Sequence, residues 1–67
     1  MPRYSILIQY DSRDRIYVAS IPELQGCMAH GSSQEEAIRE INIALDLWIE
    51  TAKEYGLELP SPMMYVS

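Results

Sequence analysis

Cys27 and His30 are the side chains best suited to nucleophilic or metal chemistry, and the chain has one of each type. A thiol–imidazole pair, or a shared metal ion, needs the two to converge. The run from Cys27 to His30 reads as a strand, and residues three apart in a strand point to opposite faces. A structural zinc site asks for about four Cys or His ligands. Cys27 therefore reads as a small buried hydrophobe and His30 as a strand-end residue. The Asp and Glu side chains, ten in all, are the other candidates for acid–base work. Asp11 and Asp14 fall in a turn, where such side chains serve the backbone. The helix acids are spaced along its solvated side and do not converge. No glycine-rich phosphate loop is present. These patterns predict a protein without catalytic residues, metal or cofactor.

The elements that carry these residues can be read in order. Tyr4, Ile6, Ile8 and Tyr10 alternate with Ser5, Leu7 and Gln9, the period-two signal of a strand. Asp11-Ser12-Arg13-Asp14 reads as a hairpin turn. Arg15 to Ile21 is rich in β-branched and aromatic residues and reads as a second strand. Pro22 cannot donate to a ladder and ends it. Gly26 allows a sharp turn, and Cys27 to His30 forms a short third strand. Met63-Met64, after Pro60-Ser61-Pro62, reads as a closing strand. The predicted fold class is α+β, a two-layer β-β-β-α-β domain with an antiparallel sheet under one long helix.

The helix start is the sharpest local signal. Ser33 can cap the first free N–H groups, and Glu36 three residues later completes a capping box; Ser32 with Glu35 is the alternative frame. Gln34, Glu35 and Glu36 suit the positive end of the helix dipole. The helix is expected from Gln34 to about Tyr55, with Gly56 in the left-handed position that ends it. Ala37, Ile38, Ile41, Ala44, Leu45, Trp48, Ile49, Ala52 and Tyr55 fall within an arc of about 140° and should cover the sheet. The opposite side is polar and includes Glu40, Asp46, Glu50 and Glu54. Ile43 and Leu47 interrupt it, four apart and so touching.

Size and charge bound the function. At 67 residues the chain is one domain, 1–67, and buries only about 60% of the surface of its unfolded form. Domains this small are usually reinforced by disulfides, metal or self-association, and a single cysteine leaves self-association. Ile43 and Leu47 are the oligomer-interface candidates; the alternative is an exposed pair with no partner. Net charge is −5, and the few Arg and Lys residues are scattered, which argues against direct nucleic-acid binding. An acidic surface suits solubility or a basic protein partner. No run approaches the roughly 20 apolar residues of a membrane span. One unpaired cysteine and no export signal favour the cytoplasm.

The sheet carries a second expectation. If Ile6, Ile8, Ile16 and Val18 face the helix, then Leu7, Tyr17, Ala19 and Ile21 face away. That outer face would be apolar and would suit a protein partner. The reverse register would place those residues inside.

Tyr17-Val18-Ala19, Pro22, Leu24, Gly26-Cys27, Gly31, Ser33, Glu35-Glu36-Ala37 and Pro60-x-Pro62 stand in an order that resembles the HicB-like antitoxin domain. Ser33 stands where the family usually has Thr, a conservative change for a cap, and Gln25 where many members have Pro. The resemblance implies a partial RNase H-like fold that assembles as a dimer or tetramer. It implies binding to a HicA-type toxin, a small basic RNase, whose active surface the antitoxin occludes. Such a role needs no catalytic residues. Fuller members add a C-terminal DNA-binding segment. This chain stops before one, so DNA binding is not expected. On this reading Glu40, Asp46, Glu50 and Glu54 steer the partner, and Leu7, Tyr17, Ala19 and Ile21 hold it. The alternative is a homo-oligomeric scaffold or regulator of the same fold with another partner. An RNase H-like enzyme would need carboxylates on the central strands, and Tyr4 to Tyr10 holds none.

Overall fold

The computed structural model describes residues 4–61. Three strands, β1 (Leu7–Asp11), β2 (Ile16–Ser20) and β3 (Met28–Gly31), precede one helix, α1 (Gln34–Glu54). The strands form an antiparallel sheet in the order β1-β2-β3. This is the expected α+β arrangement of a sheet under one long helix. The closing strand expected around Met63 and Met64 lies outside the described residues.

The β1–β2 turn sets the register. Asp11 Oδ1 accepts from the backbone N–H of Arg13 at 2.9 Å and of Asp14 at 3.4 Å, the local bonding expected of Asp in a turn. Arg15 belongs to this turn and takes a left-handed conformation, φ 54°, so β2 begins at Ile16. Ile8 then pairs with Ala19, and Tyr10 with Tyr17. Directly opposed residues share a face, so Tyr17 and Ala19 lie on the face of Ile8, the one that meets α1. A one-residue slip in the pairing would move every side chain to the other face. The expectation that Tyr17, Ala19 and Ile21 face away from the helix is therefore corrected. Ala19 is 0% and Ile21 1% exposed, and Tyr17 is half-buried against the same core. Ile16 and Val18 take the outer face, with Leu7, which is exposed as expected.

The Pro22–Cys27 segment is a double turn that feeds the core. Ile21 O accepts from Leu24 N–H at 3.0 Å, and Leu24 O accepts from Cys27 N–H at 3.2 Å. Ile21 N–H donates to Cys27 O at 3.1 Å and closes the loop. Pro22 sits at the first central position of the first turn, where its fixed φ is suited. Gly26 takes φ +79° in the second. Ile21, Leu24 and Cys27 are thereby delivered at three-residue intervals into one cluster with Ala19, Ala37 and Ile41. Full burial of Ile21, Leu24 and Ile41 contributes about 1.5–3 kcal/mol each relative to exposure.

Both ends of α1 are closed by side chains or turns. Ser33 Oγ accepts from Glu36 N–H at 3.1 Å. The Glu36 carboxylate reaches back one residue further than a simple capping box, accepting from Ser32 N–H at 3.1 Å and Ser32 Oγ at 3.2 Å. The Ser33–Glu36 frame is the one that forms, and Ser32 joins it through Glu36 rather than pairing with Glu35. At the other end Gly56, at φ +67°, donates to Lys53 O, and Leu57 N–H donates to Ala52 O at 2.7 Å. This pair of bonds is the Schellman pattern, in which the left-handed position favours glycine. Ile38 and Tyr55, expected on the covering face, are exposed instead. Ile38 lies at the margin of the apolar arc, and Tyr55 is the C-cap residue, beyond the last helical turn.

Gly31 ends β3 where the chain doubles back into α1. A Cβ there would stand 2.6 Å from Ala37 N and 2.8 Å from Glu36 C. Both are backbone atoms, so neither can swing aside.

Candidate functional site

The residues first suspected of chemistry are not brought together. Cys27 is buried in the core cluster. Burial pushes its thiol up from the ordinary value, so the sulfur keeps its proton at neutral pH and is a poor nucleophile. His30 pairs with Val18 across the sheet and lies exposed on the outer face. Asp11 is occupied in its turn. Among the described residues no three or more His, Cys, Asp or Glu side chains gather as metal ligands. Among the same residues no helix is long and apolar enough to cross a membrane.

What the structure does present is exposed acidic and apolar surface on α1. Glu40, Asp46, Glu50 and Glu54 are all exposed on α1, as the sequence suggested. Ile43 and Leu47 stand among them, 58% and 64% exposed. Of the four residues first assigned to holding a partner, Leu7 is exposed, Tyr17 half-buried, and Ala19 and Ile21 buried. The outer sheet face is mixed rather than apolar. Leu7, Ser20 and Met28 form one row across it, and Gln9, Val18 and His30 the next.

A larger apolar surface lies beside α1 and was not visible in the sequence. A groove of about 380 Å³ runs between the Gly26–Met28 end of the sheet and the second half of α1. Its lining includes Cys27, Met28, Ala44, Leu47, Trp48 and Leu57. Small side chains make the room: Ala44 and Ala52 on the helix, Gly26 on the loop. Trp48 forms one wall and is pinned by its indole N–H, which donates to Gln25 O at 3.3 Å. The Schellman turn brings Leu57 to the far end. The sequence signal was a Trp on the sheet-facing arc next to small residues, but the groove depends on the loop and the helix end meeting there.

This architecture has known relatives. The family described as "HicB_like antitoxin of bacterial toxin-antitoxin system" matches residues 4–65. The chain belongs to this HicB-like antitoxin family. A UPF0150 protein of Synechocystis sp. is 45% identical over 58 residues, covering 87% of this chain and 78% of that protein. A UPF0150 protein of Thermoplasma acidophilum is 33% identical over 58 residues, covering 87% and 83%. A third, from Helicobacter pylori, is 46% identical over 33 residues, covering 49% and 46%. No solved structure matches the chain. The double turn ends at the groove, which Gly26 and Cys27 line.

Proposed function

We propose that this HicB-like chain neutralises a small basic HicA-type RNase toxin by covering the toxin's active surface. It acts as a binding module in the cytoplasm, without catalysis or cofactor of its own, and itself assembles as a dimer or tetramer. The observation that carries the reading is the exposed acidic side of α1, with Glu40, Asp46, Glu50 and Glu54 set around apolar Ile43 and Leu47. Acidic residues at the margin speed encounter with a basic protein, while apolar contacts set how long the complex lasts.

Changing the four acids to their amides is expected to slow association with the toxin by about tenfold or more at low salt. It should also flatten the salt dependence and leave dissociation nearly unchanged. Stopped-flow or surface plasmon resonance at several ionic strengths measures this. An association rate indifferent to both the substitutions and the salt would contradict the reading.

A second reading, a homo-oligomeric scaffold with another partner, is favoured by the exposure of Ile43 and Leu47 on so small a domain. A chain that assembles with itself and ignores the basic protein in the same experiment would support it.

A further inference from the structure

We infer that the groove between α1 and the Gly26–Met28 loop is the anchor site of the basic partner. Apolar side chains of that partner would fill it, with lysines or arginines beside them meeting the acids of α1. The inference rests on the antitoxin reading and names the surface that serves it.

Space and lining come first. An apolar void of about 150 Å³ accepts a benzene ring, so a groove of about 380 Å³ has room for two or three apolar side chains. Met28 and Leu47, on its two banks, are 61% and 64% exposed, and Leu57 at its end is exposed as well. This is apolar surface that a partner would remove from water. The sheet cannot supply an equivalent, because Tyr17, Ala19 and Ile21 are turned into the core.

The charges around the groove select the occupant. One bank carries no charge: from Leu24 to Gln34 there is no Asp, Glu, Lys or Arg. The other bank is a flank of α1. At about 100° per residue, Glu40, Ala44, Leu47, Thr51 and Glu54 share that flank, and Glu50 lies beside it. Arg39 and Lys53 stand about 100° or more around the helix from its centre. Arg13 and Arg15 are in the β1–β2 turn, at the opposite end of the sheet. Gly31 pairs there with Tyr17, whereas Met28, at the groove, pairs with Ser20. The groove is therefore an apolar slot with acids along one side and, among the described residues, no cation in its lining.

A second copy fits this pattern poorly. If two α1 helices packed antiparallel about Leu47, Glu40 of one copy would lie opposite Glu54 of the other. Like charges placed face to face disfavour a complex, whereas a basic surface is matched. The Ile43–Leu47 pair, first a candidate for self-association, thus stands at the acidic margin of an anchor site for a basic protein.

Two substitutions test the site without touching the core. Leu47→Glu places a charge on the bank, and Thr51→Trp fills the groove from a residue that is exposed in its lining. Gln9→Glu, exposed on the outer sheet face, is the control. The probe is a purified HicA-type toxin from the same genome, titrated against each full-length chain, with circular dichroism confirming the fold. Both groove variants are expected to dissociate about 30-fold faster or more, the range of an interface hot spot, while the control binds as the native chain does. Native binding by both groove variants would overturn the inference and leave the antitoxin reading standing. No binding by the native chain would overturn both. A concentration-dependent dimer of the chain alone, lost in Thr51→Trp, would assign the groove to a second copy and also overturn the inference.

Discussion

Gly31→Ala is expected to unfold most of the protein at physiological temperature. The added Cβ would lie 2.6 Å from Ala37 N and 2.8 Å from Glu36 C, so the strand and the helix start must separate to admit it. Overpacking of this kind costs about 3 kcal/mol or more when backbone has to move. At about 0.05–0.15 kcal/mol per residue, a domain this small holds only about 3–10 kcal/mol in total. Each kcal/mol shifts the Tm of such a domain by about 4–8 °C, so a fall of more than about 12 °C is expected in thermal unfolding. Gly56→Ala is the comparison. Its Cβ meets nothing within 4 Å, and its cost is the left-handed backbone alone, about 1–2 kcal/mol. A Gly31→Ala variant that melts with the native protein would mean that β3 and α1 do not approach as described.

The second large effect concerns the register of β2. Ile21→Asp is expected to abolish folding, because Ile21 is 1% exposed and a lone buried carboxylate costs several kcal/mol or takes up a proton. Leu7→Asp, on the outer face of the neighbouring strand, is expected to stay folded and to change stability by no more than about 1 kcal/mol. Urea titration followed by Trp48 fluorescence distinguishes them. A folded Ile21→Asp together with an unfolded Leu7→Asp would restore the opposite register.

These two positions also show what the sequence could reveal. The helix was legible to within a residue, because Ser33, Glu36 and Gly56 signal its ends by local bonding that needs no tertiary context. The Pro22–Cys27 turn and the short third strand were legible for the same reason. The faces of β2 were not. Ile16 and Val18 are as apolar as Tyr17, Ala19 and Ile21, so alternation could not choose between them. The choice lies in the pairing, with Ile8 opposite Ala19 and Tyr10 opposite Tyr17. That pairing puts Ala19 in the core, next to Ile21, and packs Tyr17 against it. The acids of α1 were legible as a solvated face and remain one. The groove was not legible, because it forms only where Trp48 bonds to Gln25 and the Schellman turn returns Leu57 toward Gly26.

The most direct measurement is RNA cleavage by a purified HicA-type toxin as this chain is added. Cleavage is expected to fall linearly and to stop near one protomer per toxin, with RNA untouched when the chain is present alone. Undiminished cleavage in the presence of excess folded chain, or cleavage by the chain itself, would contradict the assignment of this protein as a toxin-neutralising binding module.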